Sequence, residues 1–157
     1  MKIVILNEMV PDFEAEMTGN QMIKLSDCQG KNVVLYFYPK DNTPGCTLES
    51  QDFRDNFEKF TALNTLIFGV SRDSLSSHDS FKCGQNLPFE LITDGNETLC
   101  QLFDVLKPKN VYGKEVIGVE RSTFLIDAKG VLIHEWRKVK VDGHCMEILE
   151  KLESTVN

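Results

Sequence analysis

No apolar run in this 157-residue sequence is long enough to cross a bilayer. The apolar start Ile3-Val4-Ile5-Leu6 is cut by Asn7-Glu8, short of a signal-peptide core as well. The expectation is a soluble, cytoplasmic protein. Positive charge is scarce: 17 Lys and Arg stand against 24 Asp and Glu, a net charge of −7. Nucleic acid and anionic membranes demand basic surface, so neither is expected as a main partner. The densest basic cluster, Arg137-Lys138-Val139-Lys140, is too short for a binding patch and reads as a strand end or loop. Cys-x-x-Cys spacing is missing among Cys28, Cys46, Cys83, Cys100 and Cys145, and His78, His134 and His144 have no ligand spacing to them. A structural metal is therefore not expected, nor any other cofactor. Five cysteines cannot all pair within one chain, which points to a reducing compartment. There is no repeat, no low-complexity tract and no Pro/Gly/Ser-rich linker, so residues 1–157 read as one domain. Its 41% hydrophobic content suffices for a single core.

What is there centres on residues 32–60. Asn32-Val33-Val34-Leu35-Tyr36-Phe37-Tyr38 is a β-branched and aromatic run without charge, the pattern of a buried central strand. Pro39 ends it and Pro44-Gly45 supplies a turn. Residues 47–60 then carry Phe53, Phe57 and Phe60 at i, i+4 and i+7, an amphipathic helix face. Cys46 thus falls near a helix start. A cysteine attacks as its thiolate, and unpaired N–H groups at a helix N-terminus, or a nearby Arg or Lys, favour that form. Thr43, three residues earlier, brings a hydroxyl towards the same point. A lone cysteine is more often a small buried apolar residue, but this setting reverses the odds in favour of a nucleophile.

Strand patterns at residues 33–38, 65–70 and 122–126 alternate with helix patterns at 47–60, 76–84 and 97–103. The alternation predicts an α/β sandwich. Asp127-Ala128-Lys129-Gly130 reads as a hairpin turn into a strand at 131–136, which makes the sheet mixed. A final helix from about residue 143 carries Met146, Leu149 and Leu152 on one face. These patterns support a three-layer α/β architecture and go no further.

Pro39, Thr43 and Cys46 match the Pro-x-x-x-Thr-x-x-Cys signature of the peroxiredoxins. The longer run Tyr36-Phe37-Tyr38-Pro39-Lys40-Asp41-Asn42-Thr43-Pro44-Gly45-Cys46-Thr47 resembles their bacterioferritin-comigratory, or Q-type, branch. Pro11-Asp12-Phe13, Gly69-Val70-Ser71, Leu87-Pro88-Phe89 and Arg121-Ser122-Thr123-Phe124-Leu125-Ile126-Asp127 continue the resemblance in family order over most of the chain. It implies a thioredoxin-like fold and a thiol peroxidase. Cys46 would be the peroxidatic cysteine, attacking hydrogen peroxide or an organic hydroperoxide and becoming a sulfenic acid. The Thr43 hydroxyl and the Cys46 N–H would donate along the sulfur–oxygen–oxygen line, and Pro39 would close one wall of the pocket. Arg121, by pattern alone either a surface charge at a strand start or an active-site group, would hold the thiolate and polarise the peroxide. Glu49, alternatively an exposed first-turn acid favoured by the helix dipole, would orient Arg121.

The resemblance leaves the second thiol open. Many members of the branch carry a resolving cysteine five residues after the nucleophile, where this chain has Gln51. A subgroup places it on the next helix, where Cys83 stands about one residue out of register. Cys83 is the favoured candidate, and a Cys46–Cys83 disulfide would require a helix to unwind. Cys28, Cys100 and Cys145 read as packed. The implied reductant is thioredoxin and the implied state a monomer. The alternatives are a one-cysteine peroxidase recycled by an external thiol, and a peroxide sensor without turnover.

Overall fold

The computed structural model describes residues 3–155. Strands β1 (Glu14–Met17) and β2 (Gln21–Lys24) precede the central β3 (Asn32–Phe37). Helices α1 (Pro44–Asp55) and α2 (Phe57–Ala62) lead to β4 (Thr65–Ser71), then α3 (Leu75–Gln85), β5 (Glu90–Thr93) and α4 (Thr98–Leu102). A hairpin of β6 (Leu106–Val111) and β7 (Lys114–Val119) is followed by β8 (Ser122–Ile126), β9 (Leu132–Arg137) and α5 (His144–Thr155).

Seven strands form one mixed sheet in the order β2-β1-β5-β4-β3-β8-β9, and β6-β7 stand apart as a two-stranded ribbon. Strand β3 lies parallel to β4 and antiparallel to β8, so its apolar run is covered on both faces as a central strand requires. The two-residue period splits it. Val33, Leu35 and Phe37 face a core shared with Phe103 and Phe124, while Val34, Tyr36 and Tyr38 face Phe53, Phe60, Phe81 and Ile148. The sheet therefore has α1, α2, α3 and α5 on one side and α4 with Val4, Val10 and Phe13 on the other.

The structure departs from the sequence expectation in several elements. Strands β1, β2 and β5, each only four residues long, had no strand reading, and the following differ as well. The helix expected over 47–60 is two helices broken at Asn56 (φ −108°, ψ 9°), whose side-chain amide donates to the Asp52 carbonyl at 2.8 Å and competes with the helical backbone bond. Phe53 and Phe60 are nevertheless fully buried. In α5 the buried stripe is Cys145, Ile148, Leu149 and Leu152, at i, i+3, i+4 and i+7; Met146 is 49% exposed, one residue and about 100° off that stripe. The β6-β7 ribbon had no strand reading because Lys107, Pro108, Lys109 and Asn110 break any alternation; Tyr112 and Gly113, both at positive φ, make its tight turn. Among the described residues no helix is long and apolar enough to cross a membrane.

Candidate active site

Strand β3 delivers the chain through Tyr38 and Pro39 to a loop that ends at Thr43, the extended N-cap of α1 (φ −85°, ψ 151°). Pro44 opens the helix, three residues before the start read from sequence, because its fixed φ suits the first helical position and it has no N–H to leave unpaired. The first intrahelical bond runs from the Thr47 N–H to the Thr43 carbonyl at 2.9 Å. The N–H groups of Gly45 and Cys46 precede it, and no side chain caps them. Cys46 is thus the third residue of α1, with its side chain 1% exposed.

Arg121 reaches this sulfur from the other side of β3. The antiparallel register pairs Phe37 with Ser122, so the residue entering β8 lies beside the strand end that feeds the Cys46 loop. The guanidinium divides its donors: Nη2 donates to Cys46 Sγ at 3.4 Å and Nη1 to Glu49 Oε1 at 2.7 Å. Glu49 is one turn along α1 from Cys46 and, because the helix begins at Pro44, lies beyond the first turn; at 1% exposure it is not the exposed first-turn acid of the alternative reading. Gly45 makes room for this arrangement, since a Cβ there would stand 3.1 Å from Arg121 Nη2. Sequence reasoning passed over this glycine, reading it only as part of a turn.

The electrostatics follow from burial. Desolvation pushes the Glu49 carboxyl up to about 7, although the Arg121 charge and hydrogen bond pull it down; Asp52 adds to the rise. Its second oxygen, Oε2, is buried without a hydrogen-bond partner among the described residues. Burial works against the Arg121 charge, but Glu49 and Cys46 outweigh it and hold the guanidinium above its ordinary value.

Of the residues read from sequence, Arg121 touches both Cys46 and Glu49, with half-buried Pro39 and Thr43 in the loop that leads to Cys46. The Thr43 hydroxyl differs from expectation: it donates to the Lys40 carbonyl at 2.8 Å, turning its proton away from the sulfur and leaving its lone pairs as acceptors. Cys83 is not at the site. It is exposed near the carboxyl end of α3, whereas Cys46 is buried, and both thiols are free. Gln51, in the nearer resolving position, donates to Gln85 Oε1 at 2.8 Å and so joins α1 to the helix that bears Cys83. Burial raises the thiols of Cys100 and Cys145 far above the ordinary range, with Asp94 reinforcing the first and Asp52 the second. Cys28, half-buried, is raised by burial and Asp27.

Residues 6–135 match the model of the AhpC/TSA family. Peroxiredoxin Bcp of Bacillus subtilis is 52% identical over 148 residues, 94% of each chain. The chain is a peroxiredoxin of the AhpC/TSA family. Peroxiredoxin Bcp of Xanthomonas campestris is 47% identical over 143 residues, 91% of this chain and 89% of the other. The solved structure of Xanthomonas campestris peroxiredoxin Q superimposes with a TM-score of 0.91 at 44% identity, over 98% of this chain and 99% of that one. A trapped intermediate/ligand complex of the Xanthomonas campestris bacterioferritin comigratory protein, described in terms of its alkyl peroxide reduction activity, matches as well: TM-score 0.91, 43% identity, 98% and 99% coverage. The peroxiredoxin fold is thioredoxin-like, and this mixed sheet between two layers is an instance of it. As a peroxiredoxin the protein is a thiol-dependent peroxidase.

Proposed function

We propose that Cys46 is the attacking thiol, that it reduces hydrogen peroxide and organic hydroperoxides, and that Cys83 resolves the product. The Cys46 thiolate attacks one peroxide oxygen; the sulfur–oxygen bond forms as the oxygen–oxygen bond breaks. Sulfur loses two electrons and becomes a sulfenic acid, while the departing oxygen takes a proton and leaves as water or an alcohol. The observation that carries this reading is Arg121 Nη2 at 3.4 Å from Sγ, with the other arm of the guanidinium held by Glu49. A fixed planar donor at that place stabilises charge spread over sulfur and both oxygens better than a mobile ammonium would. Pro39 walls the pocket, and the Thr43 oxygen, its proton spent on Lys40, accepts from the peroxide O–H.

In the second half-reaction the Cys83 thiol displaces water from the sulfenic acid, giving a Cys46–Cys83 disulfide that the dithiol of thioredoxin reduces. A buried Cys46 and an exposed Cys83 meet only if helix unwinds. The odd cysteine count supports a reducing, cytoplasmic setting, and residues 1–157 work as one domain and as a monomer. A thioredoxin-coupled assay of NADPH consumption, with mass spectrometry after one equivalent of peroxide, tests the assignment. Wild type is expected to turn over and to lose two hydrogens. Cys46→Ser is expected to lose all peroxide consumption. Cys83→Ser is expected to stop thioredoxin-coupled turnover and to gain one oxygen. Sustained turnover in Cys83→Ser would transfer the protein to the one-cysteine class, and a single burst without turnover in wild type would make it a sensor.

A further inference from the structure

A buried polar network joins the Cys46 loop to the first turn of α3, and nothing in the peroxide chemistry above uses it. Asp41, five residues before Cys46, and His78, on α3, are both almost fully buried. His78 Nδ1 is hydrogen-bonded with Asp41 Oδ2 at 2.7 Å and Nε2 with the Ile92 carbonyl at 3.0 Å, so the ring links the loop to α3 and to β5. Asp41 also accepts from Ser77 Oγ at 2.8 Å and from Tyr38 Oη at 2.6 Å, and its own N–H donates to Asp73 Oδ2 at 2.9 Å. Burial alone would raise the Asp41 carboxyl; the hydrogen bonds from His78 and Tyr38 outweigh it and hold it below its ordinary value. Asp41, Asp73 and His78 offer ligand atoms within 4.8 Å of one another, but each atom already has a protein partner. The cluster is a tether between segments.

The tether divides α3 unequally. Its first turn is held by the Ser74 cap, which accepts from the Ser77 N–H at 3.1 Å, and by the two side chains on Asp41. Beyond His78 the sequence Asp79-Ser80-Phe81-Lys82-Cys83-Gly84 is rich in poor helix formers, and only Phe81 is buried. The remaining holds are at or near the surface: a Lys82–Glu90 ion pair, and bonds from Gln51 and Arg54 to Gln85. If residues 79–83 unwind, they give Cys83 a reach of roughly 17 Å from a fixed His78, at about 3.4 Å per extended residue. The far half can therefore travel while the near half stays.

We propose that Asp41 and His78 are positioning residues: a buried tether that keeps the Cys46 loop in place for attack while the far half of α3, carrying Cys83, unwinds towards the sulfur. The second half of this statement rests on the reading of Cys83 as the resolving thiol. The first does not.

Two variants of similar size separate positioning from mere packing. His78→Asn keeps a donor where Nδ1 meets Asp41 and loses the Ile92 bond; His78→Gln does the reverse. In a Cys83→Ser background, where the sulfenic acid persists, rapid-quench mass spectrometry reads the rate of oxygen gain at Cys46 with hydrogen peroxide. We expect His78→Gln to slow it about tenfold or more, since small misplacements of reacting groups carry costs of that order, and His78→Asn to stay near the parent rate. Equal rates in the two variants, or a slower Asn variant, would overturn the tether. Residue-resolved amide exchange of the wild-type disulfide form supplies the other arm. Protection should vanish at residues 80–86 and persist at Ser77 and His78. Loss at Ser77 and His78 as well would overturn the division of α3. Protection kept at 80–86, with turnover in Cys83→Ser, would instead overturn the Cys83 reading, and the oxygen-gain arm would still decide the tether.

Discussion

Arg121 serves two partners with one planar group, and the spacing of its two arms is what a lysine cannot copy. Glu49 Oε1 takes one arm at 2.7 Å and Cys46 Sγ the other at 3.4 Å. Gly45 sits under the second arm. We expect Gly45→Ala to push Nη2 off the sulfur, because the added Cβ would lie 3.1 Å away, and to slow peroxide reduction by about tenfold or more. Stability should hold or rise slightly, as Ala suits a helix better than Gly; second-order rates with peroxide and a thermal melt read the two effects separately. Glu49 makes a pH prediction. Its carboxyl sits at about 7 in the folded protein against an ordinary 4.5, so across that window the fold holds a proton that the unfolded chain has released. Stability attributable to Glu49 is therefore greatest below about pH 4.5 and falls as pH rises through about 7. The accumulated loss is about 3 kcal/mol at about 1.4 kcal/mol per unit. Glu49→Gln should remove this slope. Denaturant midpoints of variant and wild type at pH 5 and pH 8 check it, the difference between them cancelling groups common to both.

At the scale of elements, legibility follows the strength of the local signal. Strand β3 was readable because six successive apolar or aromatic residues, Val33 to Tyr38, leave no other burial pattern. A helix start near Cys46 was readable from the turn chemistry of Pro44-Gly45 ahead of the Phe53, Phe57 and Phe60 period, although Pro44 itself proved to be the first helical residue. The break at Asn56 was not readable: the Phe53, Phe57 and Phe60 period runs straight through it, and only the competing side-chain bond to Asp52 reveals why the helix stops. Helix α3 was legible as a helix, but its division into a pinned turn and a loosely held remainder comes from what Asp41 and Ile92 present to His78 across the fold. The β6-β7 ribbon lay beyond pattern reading for the opposite reason. Its strands pair mainly with each other, and their exposed positions follow no alternation that a buried face would impose.

At the scale of the molecule, both cores meet on β3, so the site and the packing share one strand. Trp136, the single tryptophan, lies on β9 against His144 of α5, with ring centroids 5.7 Å apart, and reports that layer alone. If residues 1–157 are one domain, urea unfolding followed by Trp136 fluorescence and by far-UV circular dichroism should give superimposable transitions. Separated midpoints would mean that the α5 layer unfolds on its own. The sequence by itself determined the α/β class, the central strand and the cysteine at a helix start, because those depend on neighbours along the chain: periodicity, proline geometry and unpaired N–H groups. Only the tertiary structure decided the rest. It brought Arg121 across 75 residues to the sulfur, buried Glu49 beside it, turned the Thr43 proton to Lys40, and left Cys83 exposed on a helix away from the site. Each of these turns on strand register or on how completely a group is desolvated, and neither is a property of any local stretch of sequence.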